Sequence, residues 1–390
     1  MGDASTVPPR AQDESERIAA PIEPLDALLA SDGLYYVAPD AASEIRLTHI
    51  GKAVEFHREN NPTFDRYCSR AHLTKTHFDT EDELALIPLM PASIFKRHGQ
   101  RARTPTSRDV LDTTSSGTLG SVSRVPRDDL TLMRFFSSIA IGSRELLGVE
   151  RYDRRVFNLG PSTEEEPNLW LAYVMSGVAV IFTSRRYMQN RRLLVERLLH
   201  DLACVRADQD VTIIAPPPLL LDLIAELERR PALDLGPGTL VVTIGGWKRR
   251  LGDAIPREIF DARVARMLTS ARTDAVRDTF NMVELNSVFF ECDAKALHCP
   301  PWVHVTARDV RTLDPLPSGK QGVLAFLDPT PTSYPGFVLS EDLGRVYQSQ
   351  KCPCGLHGDT IVVDRRVKRV ESRGCALKID TMIHEGSRDD

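Results

Sequence analysis

The chain has 390 residues, 42% of them hydrophobic, so it can bury a large core without disulfide or metal staples. Its 49 basic and 54 acidic residues give a net charge of −5, and the basic residues are scattered, which argues against nucleic-acid binding. The longest apolar run, 169–183, is interrupted by polar and glycine residues, so no membrane association is expected. The cysteines are odd in number, and no basic-then-apolar leader is present, which indicates a cytoplasmic protein.

The periodicity of the chain predicts an α/β protein. Residues 1–22 are rich in Pro, Ser, Ala and charge without apolar periodicity, which is typical of a disordered leader. From residue 23 onward, helix-like and strand-like stretches alternate. The clearest are helices over 193–205 and 219–229, and strands over 210–215 and 239–244. This alternation predicts a body over residues 23–299 in which helices cover a largely parallel sheet.

The texture of the sequence changes after residue 299. Short strand-like runs and Pro- or Gly-containing turns predict a smaller β-rich subdomain over residues 300–363, which contains a Cys-x-Cys pair. Residues 364–390 are short and charged, and we expect them to form a small C-terminal lobe.

A loop rich in glycine and hydroxyl groups follows Asp112. Glycines let backbone N–H groups approach an anion, hydroxyls add donors, and a cation ends the run. The Gly-Lys-Ser/Thr of a Walker loop is missing, and a solvent loop is the alternative. The candidate phosphate-binding residues are Thr114, Ser115, Ser116, Gly117, Thr118, Gly120 and Arg124.

The order of the segments that follow resembles the adenylate-forming superfamily of acyl ligases. The superfamily pattern assigns the adenine pocket to Gly245, Gly246 and Trp247, the aromatic-to-glutamate run to Phe280, Asn281, Met282 and Glu284, and the ribose contact to Asp342. The resemblance implies that ATP and Mg²⁺ are cofactors and that Glu284 helps to hold Mg²⁺. Asn281 and Val283 depart from the pattern, and the loss of a threonine at 283 removes one phosphate contact. The alternatives are a solvated Glu284 and a turn-forming Asp342.

Three segments, 87–96, 245–248 and 373–377, resemble a narrower branch, the acyl-protein synthetases of bacterial luminescence and the related phenylacetate:CoA ligases. In that branch a carboxylic acid is adenylated, and the acyl group moves to a cysteine near the C-terminus before it passes to a partner enzyme. The resemblance makes Cys375 the candidate nucleophile. The cationic residues from 365 to 373 favour its thiolate, and a packing cysteine is the alternative.

Only fifteen residues follow Cys375, so the C-terminal domain with a late catalytic lysine that the superfamily usually carries is expected to be truncated. Lys248 and Arg366 are the candidates for the missing cation, and a surface lysine is the alternative for Lys248.

Three cysteines and a histidine in the last third of the chain are candidate metal ligands. Cys292, His298, Cys352 and Cys354 supply three thiolates and an imidazole, which suit a closed structural zinc site. The same arrangement resembles the phenylacetate:CoA ligase group, some members of which bind zinc. Cys299 and His357 are rival fourth ligands, and buried free cysteines are the alternative. The remaining cysteines, Cys68 and Cys204, lie on helical patterns and are expected in the core.

These patterns predict an enzyme that activates a carboxylic acid as acyl-AMP and transfers the acyl group to a thiol. A ligase that uses CoA, a carrier protein or an amine, with a structural Cys375, is one rival. A nucleotide- or zinc-binding scaffold without turnover is another. The sequence is compatible with either an alkyl or an aryl acid as the substrate.

Overall fold

The structure is a computed structural model that describes residues 23–97, 100–102, 111–116, 122–149, 154–206, 208–230, 233, 235–246 and 255–366, with the backbone alone for 365 and 366. The predicted leader lies outside the described residues. So do several candidate site residues, namely Gly117, Thr118, Gly120, Trp247, Lys248, Cys375 and the side chain of Arg366.

Local sequence signals account for the main helix boundaries. Asp128 accepts a hydrogen bond from the Thr131 backbone N–H at 2.8 Å at the start of α5 (Asp129–Leu147), and Gly148, with φ of 61°, ends this helix. Asn61 likewise caps α3 (Pro62–Arg70), because its side chain accepts from Phe64 N at 2.9 Å. The helices are α1 Pro24–Leu29, α2 Pro39–Asn60, α3 Pro62–Arg70, α4 Ile94–Arg97, α5 Asp129–Leu147, α6 Trp170–Ile181, α7 Val195–Ala203, α8 Pro217–Leu227 and α9 Arg257–Leu268.

Most strands join one mixed sheet. The strands are β1 Met90–Pro91, β2 Leu111–Thr114, β3 Arg124–Arg127, β4 Arg154–Asn158, β5 Arg185–Arg186, β6 Met188–Gln189, β7 Arg192–Leu193, β8 Asp210–Ala215, β9 Leu240–Thr243, β10 Val276–Phe280, β11 Phe289–Glu291, β12 Leu297–His298, β13 His304–Arg308, β14 Gln321–Leu327, β15 Phe337–Lys351 and β16 His357–Arg366. The order in the large sheet is β13-β14-β15-β16-β12-β11-β10-β9-β8-β4-β5, with β1 beside β15, while β2-β3 and β6-β7 form separate pairs.

The half of the sheet from β10 to β5 is parallel and covered on both faces. Ile213 and Val241 point toward the core under α7, α8 and α9. Their neighbours Ile214 and Val242 point the other way, into the core under α5 and α6. Alternate side chains of one strand therefore serve two helical layers, which explains why these strands are apolar throughout.

The other half of the sheet is antiparallel apart from β1, which pairs in parallel with β15. Its core includes Phe289, Trp302, Phe326 and Ile361. Hydrogen bonds continue from β10 through β11 and β12 to β16, so the ladder runs through the predicted boundary at residue 299. The domain boundaries stay a prediction.

The α/β fold is the one that the sequence predicts, and the predicted strand over 210–215 coincides with β8. Cys68 is buried in α3 as expected. The expectation for Cys204 was wrong, because this side chain is exposed. The buried face of α7 carries Leu198 and Leu202, and a residue two positions after Leu202 falls on the opposite side of the helix end. Among the described residues, no helix combines the length and apolarity needed to cross a bilayer.

Besides the predicted metal ligand His298, three histidines are buried in the described part of this fold. Burial lowers the pKa of His49, His57 and His304 from 6.5 to about 4. His57 lies against Pro331, whose carbonyl oxygen is 3.0 Å from Nε2. In the folded state these three histidines therefore stay neutral at pH values at which they bind protons in the unfolded chain.

We predict that these histidines leave the free energy of unfolding unchanged above about pH 6.5. As the pH falls from there toward 4, the free energy of unfolding should decline by up to about 1.4 kcal/mol per pH unit for each histidine. Denaturant midpoints measured from pH 7.5 to 5 check this. His57→Gln keeps a donor for the Pro331 carbonyl and should make the decline with pH shallower. The control His77→Gln changes an exposed histidine and should leave the decline as it is in the wild type. An identical pH profile for wild type and His57→Gln would contradict the assignment.

Candidate functional site

The ends of the predicted phosphate loop are held together by a hairpin. Strands β2 and β3 pair in antiparallel register up to Thr114 opposite Arg124. Ser115 N donates to Ser123 O at 3.1 Å, and Ser123 N donates to the Ser115 hydroxyl oxygen at 3.1 Å. Thr114 is fixed in turn, because its N–H and hydroxyl both donate to Asn168 O, at 2.7 and 2.8 Å. The loop between Ser116 and Val122 lies outside the described residues, and Arg124 is exposed at its base.

A buried arginine joins this hairpin to the segment that carries Glu284. Arg127 is fully buried, and its guanidinium donates to the Thr113 hydroxyl, to Val283 O at 2.7 Å and to Leu285 O at 3.3 Å. It also stacks over the Trp170 ring, 3.5 Å from the centroid. Burial lowers the pKa of Arg127, while Tyr334 and Glu284 act in the opposite direction. The backbone on both sides of Glu284 is thus tied to the base of the phosphate loop.

The Glu284 side chain is buried, with 5% of its surface exposed. Burial raises its pKa, against the effects of a hydrogen bond from the Ser123 hydroxyl and of the charge of Lys96, while Glu341 adds to the increase. Ser123, Glu284, Lys96 and Glu341 therefore lie together beside the ends of the loop. A buried carboxylate of this kind is stabilised in its charged form when a cation binds.

Lys96 enters this group from a distant part of the chain. Its Nζ lies 2.6 and 2.7 Å from the two carboxylate oxygens of Glu341. The contact arises because β1 pairs with β15, with Met90 opposite Val338, so that α4 starts beside the part of β15 that precedes Asp342. Asp342 itself is 9% exposed, and its N–H donates to the Ser340 hydroxyl at 3.0 Å.

The aromatic-to-glutamate run is held by side chains. The Asn281 amide accepts from Trp170 Nε1 at 2.7 Å and donates to Leu285 O at 3.3 Å and Ser287 O at 2.9 Å. Phe280 stacks on Phe326 with centroids 5.9 Å apart. The side chains of Met282 and Val283 lie in the core, Met282 only partly buried.

The Gly-Gly element follows the end of β9. Gly245 has a φ of 72°, a left-handed conformation that glycine adopts without strain. The strand before it is fixed to β10, since Thr279 donates through its hydroxyl to Thr243 O at 2.9 Å and the Thr243 hydroxyl bonds Asp278. Gly245 is half-buried and Gly246 is exposed, and residues 247–254 lie outside the described residues.

The four predicted metal ligands form one cluster. The ligand atoms of Cys292, His298, Cys352 and Cys354 all lie within 4.8 Å of one another. The sulfurs of Cys292 and Cys352 are 3.6 Å apart, and Cys354 Sγ lies 3.4 Å from His298 Nε2. A tetrahedral site with Zn–S of about 2.3 Å and Zn–N of about 2.0 Å requires separations of roughly 3.8 and 3.5 Å. The donor set therefore fits a zinc ion.

The backbone explains how the cluster forms. His298 pairs with Phe290 across β11 and β12, so Cys292, two residues after Phe290, shares its face of the sheet. The turn between β15 and β16 brings the other two sulfurs, with Cys352 N donating to Leu356 O at 2.9 Å and Gly355 at a φ of 95°.

The two rival ligands do not belong to this cluster. Cys299 is buried elsewhere, and burial raises its pKa well above the ordinary value. His357 is exposed.

Three residues of the candidate site were missed by sequence reasoning, namely Lys96, Ser123 and Arg127. The local signal for Arg127 is a charged residue that directly follows the apolar Val125 and Pro126 at the exit of the loop. Lys96 lies in a segment that resembles the narrower branch, but its partner, Glu341, is 245 positions away. Nothing in the local sequence indicates that contact.

Over residues 11–383 the sequence matches the protein family described as acyl-protein synthetase, LuxE. The long-chain-fatty-acid–luciferin-component ligase of Aliivibrio fischeri is 31% identical over 350 residues, which are 89% of this chain and 90% of that protein. The protein of the same name from Vibrio harveyi is 30% identical over 331 residues, or 84% and 85% of the two chains. The chain belongs to the acyl-protein synthetase family.

Solved structures agree with this membership at the level of fold. The open conformation of 2-hydroxyisobutyryl-CoA ligase, in complex with 2-HIB-AMP and CoA, superimposes with a TM-score of 0.66 at 14% identity, covering 85% of this chain and 71% of that chain. The same ligase in its thioesterification state superimposes with a TM-score of 0.66 at 14% identity, covering 86% of this chain and 70% of that chain. The chain therefore has the fold of an adenylate-forming ligase.

The family, the fold and the ligase activity that the sequence predicts are confirmed. The protein is a ligase of the acyl-protein synthetase family.

Proposed function

We propose that the protein joins the carboxylate of a long-chain fatty acid to AMP at the site around Glu284, and then transfers the acyl group to the Cys375 thiol. The observation that carries the proposal is the convergence of Ser123, Glu284 and the Lys96–Glu341 pair beside the ends of the phosphate loop. The chemical class of the acid follows the names of the two relatives, which specify long-chain fatty acids.

In the first step, a carboxylate oxygen attacks the α-phosphorus of ATP, and pyrophosphate leaves. The loop residues from Thr114 to Gly120 donate hydrogen bonds to the phosphates, and Arg124 adds positive charge. Little covalent work by the protein is required, because orientation and neutralisation of phosphate charge supply most of the rate.

Three further groups of residues complete the nucleotide site in this proposal. Gly245, Gly246 and Trp247 line the adenine, and Phe280, Asn281 and Met282 border it from the adjacent strand. Asp342 accepts hydrogen bonds from the ribose hydroxyls. Lys248 and Arg366 remain candidates for a cation at the α-phosphate.

Glu284 is the residue that would hold Mg²⁺. Burial raises the pKa of its carboxyl, and a bound divalent cation would favour the charged carboxylate and supply the counter-charge that the buried site lacks. A magnesium ion held by Glu284 would neutralise charge on the phosphate oxygens of ATP.

In the second step, the Cys375 thiolate attacks the carbonyl carbon of the acyl-AMP, a thioester forms, and AMP leaves. The acyl group then passes to a partner protein. The cationic run around Arg366 favours the thiolate.

We propose in addition that Cys292, His298, Cys352 and Cys354 hold a structural zinc ion. The separations within the cluster match a tetrahedral site, and the two pairs of ligands come from neighbouring hairpins. Bound metal would join the turn between β15 and β16 to the β11–β12 hairpin and contribute folding energy.

The nucleotide site predicts the effect of Glu284→Gln. The substitution removes a metal-seeking charge, so acid-dependent pyrophosphate release should fall about 10²-fold, while the melting temperature changes little. The matched control is Glu258→Gln, which removes an exposed carboxylate from α9 and should leave the rate unchanged. Normal turnover by Glu284→Gln would sink the assignment.

The metal centre predicts about one zinc per chain in the purified protein and a lower melting temperature after chelation. Elemental analysis and thermal unfolding provide the two measurements. Cys354→Ser should lose the zinc, whereas Cys204→Ser, a change at an exposed cysteine, should retain it. Absence of metal together with an unchanged melting temperature on chelation would rule the centre out.

Self-acylation predicts a covalent adduct on Cys375. Incubation with ATP and a labelled fatty acid should give an acyl-protein that neutral hydroxylamine cleaves, as it cleaves thioesters. Cys375→Ser should form no adduct but still exchange pyrophosphate, and Cys204→Ser should do both.

The decisive measurement is intact-protein mass spectrometry with an acid that supports exchange. If the wild type carries no acyl group under these conditions, self-acylation is wrong. Product formed by Cys375→Ser with free CoA, a carrier protein or an amine would then favour a ligase with a structural Cys375.

A further inference from the structure

Arg277 is a buried cation with incomplete hydrogen bonding. It lies on β10, its residue surface is 8% exposed, and its Nε and Nη1 atoms are buried without a hydrogen-bond partner among the described residues. A buried charged group normally has its donors satisfied, because unmade hydrogen bonds destabilise the folded state. The unpartnered nitrogens indicate an acceptor that the protein in this form does not provide.

Nearby carboxylates on β10 and β11 already have other partners. Asp278 and Glu291 are paired with Arg257, at 3.1 and 2.8 Å, and Lys295 bonds Asp261 at 2.8 Å. Asp278 follows Arg277 directly, so its side chain stands on the opposite face of the strand. Arg277 is therefore turned away from this ion-pair network.

The strand register places Arg277 beside the metal-ligand cluster. Thr279 pairs with Phe290 in the antiparallel ladder of β10 and β11. The same register, continued by two residues on each strand, sets Arg277 opposite Cys292. Residues directly opposite in such a ladder share one face of the sheet, with Cβ atoms about 4.5 to 5.5 Å apart.

The electrostatics agree with this placement. Burial lowers the pKa of Arg277, whereas Asp293, Cys292, Glu291 and Asp274 act in the opposite direction by stabilising its positive charge. Asp293 and Asp274 are exposed to solvent, and Glu291 is paired with Arg257 on the opposite face of the sheet. Cys292 is the buried group among them that shares a face of the sheet with Arg277.

We propose that Arg277 is a positioning residue for the metal centre, in which its guanidinium donates hydrogen bonds to the Cys292 thiolate and balances the charge of the loaded site. A divalent zinc ion with three thiolates and a neutral imidazole has a net charge of −1, which one arginine neutralises. The inference rests on the proposed metal centre, and it accounts for guanidinium donors that have no acceptor among the described residues.

The first test is zinc affinity, measured by competition with a chelator on the full-length protein. Arg277→Gln should bind zinc about 10- to 100-fold more weakly than wild type, the usual cost of removing a partner of a metal ligand. Arg277→Lys keeps the charge but lacks the planar guanidinium, so its zinc affinity should lie between those of the wild type and Arg277→Gln. Arg311→Gln removes an exposed arginine and should bind zinc as the wild type does.

The second test separates this role from simple packing, by comparing melting temperatures with and without zinc. In chelated protein, Arg277→Gln should melt at the same temperature as wild type or higher, because it removes an unsatisfied buried cation. In zinc-loaded protein it should melt at a lower temperature than wild type. A purely structural arginine would lower both temperatures equally.

Unchanged zinc affinity in Arg277→Gln, or equal losses of melting temperature in both forms, overturns the inference while leaving the metal centre intact. A wild type that binds no zinc overturns the metal centre and this inference together. If Arg277→Gln fails to fold, Arg277→Lys carries the same two measurements, and wild-type affinity in that variant counts against the guanidinium contact.

Discussion

The candidate nucleotide site depends on the Arg127 guanidinium. A single planar cation binds the strand that enters the phosphate loop, through Thr113, and the carbonyls of residues 283 and 285 on either side of Glu284. Its five donors have a fixed geometry, so it sets the distance between these segments. The Trp170 ring covers its face and excludes water, which strengthens each hydrogen bond. Lysine in this position could not make the same set of contacts.

The same region shows how a departure from a family pattern can be compensated. The resemblance to the superfamily implies a glycine at the position of Asn281. The Asn281 amide accepts a hydrogen bond from Trp170 on α6 and donates two to the carbonyls of Leu285 and Ser287, in the turn that carries Glu284. These three contacts fix the conformation of the turn. The same resemblance implies a threonine at 283, and Val283 is 6% exposed, so its side chain belongs to the core. The carboxylate of Glu284 is thereby held in place by its neighbours on both sides.

Sequence reasoning succeeded where the signal is local. The strand over 210–215 is a short, β-rich run between clear boundaries, and the cysteine–histidine set follows from ligand type and close spacing within two hairpins. It failed where a side chain acts across the fold. Lys96 and Arg127 find their partners through the parallel pairing of β1 with β15 and through the packing of the loop hairpin. Neither contact produces a periodic pattern in the sequence. The prediction for Cys204 was wrong for another reason, because a helix end exposes residues that the helix interior would bury.

Strand β15 is 15 residues long and carries Asp342 near one end and leads to Cys352 at the other. At about 3.3 Å per residue, the two positions are roughly 30 Å apart on one continuous backbone. The strand is hydrogen-bonded to β16 along this length. Fraying that starts at the cysteine turn would therefore travel along a shared ladder toward the end that carries Asp342. We expect the two positions to open to solvent together, because one ladder joins them.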